Sequence, residues 1–225
     1  MKEYKLSPSD FAFLWEECKR CFYLKVARGF PRPRTAFPQI FNAIDSAMTA
    51  RYNGMHAQAI TSGTPDGVIR FGQKWVRSRP IPVGTEGRTC CISGRLDALI
   101  ELDNDTWGVI DFKTSKARGE HLALYSRQLH AYAYALENPA RDPLAMGPVT
   151  KLGLLVFEPF KLVHNIDQTA DLKGSLTWIE IPRDDGAFFD FMRQVISVLA
   201  QPAPPEPDPD CMWCLYRQLS REYNV

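Results

Sequence analysis

The sequence predicts a mixed α/β sandwich built around one sheet. Three observations predict it. Two strand-like runs, roughly residues 89 to 102 and 107 to 113, flank "DNDT", a hairpin turn signal. That hairpin makes the sheet mixed rather than all parallel. Segments of helical periodicity at about 39–52, 120–137 and 185–201 are interspersed with further strand-like runs, "KLGLLVFEPF" and "SLTWIEIP". No internal repeat is present.

The elements follow in order. "LSPSDFAFLWEECKRCFYLKVARG" predicts one N-terminal helix, with Ser7 as its cap, Pro8 in the first turn and Asp10 completing a box-like cap. Leu14, Cys18, Cys21 and Lys25 then share a face. Three prolines in "PRPRTAFP" break the chain. A second helix runs from about Gln39 to Tyr52 and closes near Gly54. "TSGTPDG" (61–67) is a turn, and "VIRFGQKWVRS" (68–78), ambiguous by pattern, is read as helix. After the hairpin come the long helix, the two further strands and an amphipathic helix in "DGAFFDFMRQVISVLAQ". "QPAPPEPDPD" is a stiff, extended spacer that delivers a terminal cysteine pair.

A chain of 225 residues is long enough for one sizeable domain and its decorations. No apolar run approaches the about 18 to 20 residues of a membrane span. "MKEYKLSPSD" has no apolar core of a secretory signal, so a cytoplasmic protein without a membrane role is expected. The net charge of +1 argues against a generally basic nucleic-acid coat but leaves room for a local patch. Residues 18–34 form one: Lys19, Arg20, Lys25, Arg28, Arg32 and Arg34, no acid, and Phe22, Tyr23 and Phe30 interleaved. Basic residues with aromatics suit phosphate contact and base stacking. Lys19, Arg20, Tyr23, Lys25 and Arg28 are therefore DNA-binding candidates. Taken alone, the patch is better explained as a solvated helix face followed by a loop.

Six cysteines without a secretory signal do not predict a disulfide framework. Cys90 and Cys91, in a strand-like run, read as small buried hydrophobes. The other four form two C-x-x-C pairs at opposite ends of the chain, Cys18/Cys21 and Cys211/Cys214, which packing does not explain. Four thiolates suit Zn²⁺ or an iron–sulfur centre, and local spacing does not discriminate between them.

The stretch "WGVIDFKTS" carries a second signal. Asp111 and Lys113 lie two apart on an apolar strand and so share a face. Folding about "DNDT" brings Asp97 of "SGRLDALIEL" beside them, give or take a residue of register. Paired carboxylates need a cation between them, and such oxygen ligands suit Mg²⁺ or Mn²⁺. A neighbouring lysine can orient water or hold negative charge on a phosphate. A surface hairpin with a solvated Asp–Lys pair is the plainer alternative. On the second helix, Asp45 shares a side with Phe41, Met48 and Tyr52, where an acid is costly without a partner. A metal would serve, as would a place at the stripe's edge reaching water. On the long helix, Gln128 and Tyr132 lie at i and i+4 in an apolar stripe, where the amide wants hydrogen-bond partners.

Taken together, "GRLD", "DFKT" and "QLHAY", with "LSPSDFAFLWEECKRCFYL" and "DCMWC" at the two ends, resemble the PD-(D/E)XK nuclease superfamily. The nearest likeness is to its RecB-like branch, which includes CRISPR-adaptation and phage-encoded nucleases and the AddB nuclease domain. The resemblance implies a restriction-endonuclease-like core, a central mixed sheet flanked by helices, with a cysteine-clustered N/C-terminal subdomain. Residues 1–200 would be the nuclease core, and 201–225 would complete the cluster subdomain with residues 7–30. It implies a Mg²⁺- or Mn²⁺-dependent deoxyribonuclease, exo- or endonuclease, with Asp97, Asp111 and the Phe112 backbone carbonyl on the metal. Lys113 would position water, and Gln128 and Tyr132 would line the site near the DNA backbone. Cys18, Cys21, Cys211 and Cys214 would carry an iron–sulfur cluster of the 4Fe–4S type, with Zn²⁺ the alternative.

The chain departs from the family pattern twice. Asp45 stands where a histidine metal ligand is usual, in "FNAID", with Phe41 at a usual glycine. The cysteines are two and two rather than one and three. DNA, single-stranded or at ends, is the implied partner, together with a recombination or CRISPR-adaptation protein, in recombination, repair, phage DNA metabolism or spacer processing. The competing reading is a catalytically inactive nuclease-fold module that binds DNA or a partner protein; the change to Asp45 favours it, and the intact Asp97, Asp111, Lys113, Gln128 and Tyr132 oppose it.

Overall fold

The computed structural model describes residues 3–70, 72–85, 87–114, 119–141 and 144–223. Strand β1 (Glu3–Leu6) leads into helices α1 (Pro8–Ala12), α2 (Leu14–Glu17), α3 (Lys19–Arg28) and α4 (Gln39–Tyr52). Strands β2 (Gly67–Arg70), β3 (Trp75–Arg77), β4 (Ile81–Val83), β5 (Arg88–Arg95), β6 (Ala98–Leu102) and β7 (Trp107–Lys113) follow. Helix α5 (Gly119–Glu137), the hairpin β8 (Val149–His164) and β9 (Ala170–Ile181), α6 (Asp185–Ala200) and α7 (Met212–Glu222) complete the chain. Among the described residues no helix is long and apolar enough to cross a membrane.

The fold is mixed α/β, as expected, but it has two sheets rather than one. The larger runs β2-β6-β7-β8-β9, with only β7 and β8 parallel. In the smaller, β5 is central, β1 runs parallel on one edge, and β3 and β4 pair antiparallel with it. The centre of the large sheet is covered on both faces. Leu99, Val109, Leu152 and Leu154 pack with α5 and α6, while Ala98, Ile100, Ile110 and Phe112 pack with Ile44, Met48 and Tyr52 of α4. Burial on both faces explains the near-continuous apolar run in β7. It also explains Gly108, where an added Cβ would lie 2.4 Å from Ile100.

Four expectations are corrected. The N-terminal helix is three short helices, broken at Phe13 and at Cys18, whose backbone is extended (φ −171°, ψ 110°). The breaks set Phe22 against Phe11 and Trp15, and both of those against Phe191 of α6. Ser7 makes no side-chain cap, and Asp10 accepts from Lys25 Nζ at 2.7 Å instead of completing a box. Residues 68–78 are not helix but parts of β2 and β3; Phe71 lies outside the described residues. Val68, Ile69, Trp75 and Val76 favour extended backbone, and Val76 is buried between exposed Trp75 and Arg77.

The run 89–102 is two strands in two sheets. At the break, the Leu96 N–H donates to the Lys74 carbonyl at 3.0 Å and the Asp97 carbonyl accepts from the Gln73 N–H at 2.8 Å, so the β2–β3 turn replaces the ladder. Beyond the expected elements, the chain after the proline spacer forms a helix, α7, which displays Met212, Leu215 and Tyr216 to solvent.

Candidate active site

Register builds the site. Ala98 pairs with Ile110, which sets the Asp97 end of β6 beside the C-terminal end of β7. The Phe112 N–H donates to Asp97 Oδ2 at 2.8 Å. Alternation along β7 then points Asp111 and Lys113 to the same side as Val109, towards α5. Gln128 Nε2 of α5 donates to Asp111 Oδ1 at 2.8 Å, and Lys113 Nζ makes an ion pair with Asp111 Oδ2 while sitting 4.5 Å from the Tyr125 ring centroid. Tyr132, buried one helical turn on, donates to the Arg95 carbonyl at 2.9 Å, two residues before Asp97. Gly94 fits this approach, since an added Cβ would lie 2.8 Å from Pro8 and 3.3 Å from Tyr132. Asp45 comes from α4 and accepts from Gln73 Nε2 at 2.9 Å.

These groups line a cleft of about 840 Å³. Asp45, Asp97, Asp111, Lys113, Gln128 and Tyr132 all face it, as does Phe112. Its outer parts carry Lys5, Lys25 and Arg95 and the aromatic rings of Phe13, Phe37 and Trp75.

The electrostatics are those of crowded carboxylates. Burial, the Asp111 charge and the Asp45 charge push Asp97 well above the usual carboxylate range, against the Phe112 N–H. Burial also raises Asp45. Burial disfavours the Lys113 ammonium, but Asp111 and Asp97 more than offset it and its pKa is raised. Burial and the same carboxylates raise Tyr132, keeping its hydroxyl a donor. Lys113 and, from the rim, Arg95 offset the three acids only in part, since Asp97 is still pushed up, so a further cation fits this donor set. Yet the carboxylates are not drawn into one tight cage: among the described residues only the four cysteines bring three or more ligand atoms within 4.8 Å of one another. A hard ion that keeps several waters and uses one or two carboxylates suits that spacing.

The cysteines from the two ends meet as a cluster, with Cys18, Cys21 and Cys211 buried and Cys214 half-buried. Cys21 Sγ lies 3.7 Å from both Cys211 and Cys214, and Cys18 Sγ lies 3.8 Å from Cys214. Arg32 and Arg217 donate to Cys211 and Cys21 at 3.4 and 3.7 Å. Burial opposes the Cys211 thiolate, but the Cys214 N–H and the neighbouring thiols outweigh it, bringing the pKa to about 7. Cys90 and Cys91 are buried elsewhere, as expected of small hydrophobes, and burial lifts Cys90 to about 12.

The N-terminal basic segment is placed differently from a free patch. Arg20 and Arg28 donate to the carbonyls of Pro205 and Pro202 in the spacer, and Tyr23, buried, donates to Gln201. Lys25 pairs with Asp10, and Lys19 lies 5.5 Å from the Trp15 ring centroid. Phe22 and Tyr23 are inside the protein, so no base can stack on them. Sequence reasoning missed Gln73 and Trp75, hidden by the helical reading of 68–78, and Lys5, hidden by overlooking β1. Charged–apolar alternation in "EYKL" and the glycine in "FGQK" were the available signals.

Comparison with known proteins agrees with this architecture. The family model described as "PD-(D/E)XK nuclease superfamily" matches residues 31–219. Among solved structures, one described as "Crystal structure of SSO0001" superposes with a TM-score of 0.50 at 18% identity, covering 96% of this chain and 84% of that one, a likeness of fold alone. No curated protein matches the sequence.

Proposed function

The chain belongs to the PD-(D/E)XK nuclease superfamily, and on that premise we propose that it is a Mg²⁺- or Mn²⁺-dependent deoxyribonuclease of the RecB-like branch. The observation that carries this reading is the convergence of Asp97, Asp111 and Lys113 at one end of β7, in a cleft of about 840 Å³. Asp97, Asp111 and the Phe112 carbonyl would hold the ion, with Asp45 facing them across the cleft. When bound, the ion activates water and polarises a phosphodiester. Lys113 remains protonated and presents its ammonium to the attacking water and to the charge that develops on the phosphate. Gln128 fixes the Asp111 carboxylate from behind. Tyr132 fixes the backbone at Arg95 and so the approach to Asp97.

The cleft's outer rings support single-stranded DNA or frayed ends as substrate. Trp75 and Phe37 are 68% and 64% exposed, and unpaired bases stack on such rings while Lys5 and Arg95 face phosphates. A role in recombination, repair, phage DNA metabolism or spacer processing follows from the branch likeness alone.

We read residues 1–200 as the nuclease core and 201–225 as completing a metal subdomain with residues 7–30. The order of motifs favours an iron–sulfur cluster of the 4Fe–4S type on the four cysteines. The sulfur separations of 3.7 to 3.8 Å favour a single tetrahedral ion, for which a Zn–S bond of about 2.3 Å gives an edge of about 3.8 Å.

The inactive-module reading is favoured by one observation, Asp45 in place of histidine. Cleavage of end-labelled single- and double-stranded DNA with Mg²⁺, Mn²⁺ and chelator separates the two. Metal-dependent cleavage supports the nuclease. Tight DNA binding by metal-loaded protein without cleavage under either ion supports the module.

A further inference from the structure

We propose that Gln73 is a positioning residue that sets Asp45 and Asp97 together for the divalent ion, an inference that rests on the metal-site reading above. Gln73 lies in the turn between β2 and β3. Its backbone is left-handed, φ 56°, a conformation a non-glycine residue keeps only where its surroundings impose it. Two contacts impose it. The Gln73 N–H donates to the Asp97 carbonyl at 2.8 Å, and Gln73 Nε2 donates to Asp45 Oδ2 at 2.9 Å. A single residue thus ties helix α4 to the break between β5 and β6, two of the places that bring acids to the cleft from separate parts of the chain.

The turn is held on both sides. The Lys74 carbonyl accepts from the Leu96 N–H at 3.0 Å, and an added Cβ at Gly72 would lie 2.5 Å from Thr49 Cγ2 of α4. The chemistry of the amide suits the task. It orients one carboxylate oxygen of Asp45 without neutralising the charge, leaving the other oxygen for the cleft. A lysine there would compete with the metal, and a glutamate would repel Asp45. Partners of this kind orient metal ligands, and their loss usually weakens affinity about 10- to 100-fold.

The test is Mn²⁺ titration of the full-length protein with its cysteine site loaded, without DNA, following free Mn²⁺ by electron paramagnetic resonance. Gln73→Ala is expected to weaken Mn²⁺ binding at least about 10-fold, and to change it less than about 2-fold in an Asp45→Ala background. Gln73→Gly relieves the left-handed backbone while removing the amide. It is expected to melt at or above the wild-type temperature yet to bind Mn²⁺ as weakly as Gln73→Ala. Wild-type affinity in both Gln73 variants overturns the inference, as does an equal loss with and without Asp45. Should Asp97→Asn and Asp111→Asn lower affinity while the Gln73 variants do not, the metal site stands and the role of Gln73 falls. Should Mn²⁺ binding ignore the aspartates altogether, both fall.

Discussion

Gln128 reaches across from α5 to β7 and donates its side-chain amide to Asp111 Oδ1 at 2.8 Å. The other Asp111 oxygen makes an ion pair with Lys113. The amide makes the long helix part of the site, since it fixes the rotamer of a residue on the neighbouring strand.

Gln128→Ala removes that clamp and leaves a buried carboxylate oxygen short of a donor. Cleavage and Mn²⁺ affinity are expected to fall about 10- to 100-fold. Stability should fall by about 1 to 3 kcal/mol. A denaturant melt and single-turnover kinetics on one preparation check both. Wild-type cleavage would remove Gln128 from the account.

The cysteine cluster joins the ends of the chain, so its loss should be felt in the tail first. Cys21→Ser or Cys214→Ser is expected to release the bound metal and to expose residues 201–223 to protease before the nuclease core unfolds. Elemental analysis of the wild type identifies the metal. The sulfur spacing predicts about one colourless zinc per chain; iron with sulfide and a broad visible band would establish the cluster instead. Full metal content in both serine variants would contradict the four-thiolate site.

His130 gives a pH dependence with a defined sign. Its Nε2 accepts from the Asp184 N–H at 2.8 Å, and its Nδ1 lies 2.8 Å from the Ser126 carbonyl, which suits a neutral ring protonated at Nδ1. Burial lowers its pKa below the ordinary 6.5. The unfolded chain therefore binds the proton first, and the stability that neutral His130 contributes is present above about pH 6.5 and lost as pH falls through the lower folded value. Melting temperatures across pH 5 to 8 should show that slope, and His130→Phe should flatten it. An unchanged slope in the variant would exclude His130 as its source.

The site was legible where one element carries its own pattern. Asp111 and Lys113 are two apart on one strand, Gln128 and Tyr132 four apart on one helix, and "DNDT" closes the hairpin that delivers Asp97. What was not legible depends on separate segments meeting. The two N-terminal cysteines looked like neighbours on a helix, but Cys18 is the extended residue capping α3, because the chain must turn there to bury Trp15 against Phe22. Residues 68–78 have strand periodicity on each side of a turn, and reading through the turn merged them into a false helix. The basic residues near the N-terminus looked free because the carbonyls that engage Arg20 and Arg28 lie some 180 positions away, in the proline spacer.

The most direct test of the central claim is DNA cleavage by wild type and Lys113→Ala side by side, with Mg²⁺ and with Mn²⁺, on end-labelled single- and double-stranded substrates. The account predicts metal-dependent cleavage by the wild type. It predicts none by Lys113→Ala, although that variant folds and still binds Mn²⁺. Cleavage by Lys113→Ala at the wild-type rate would contradict it.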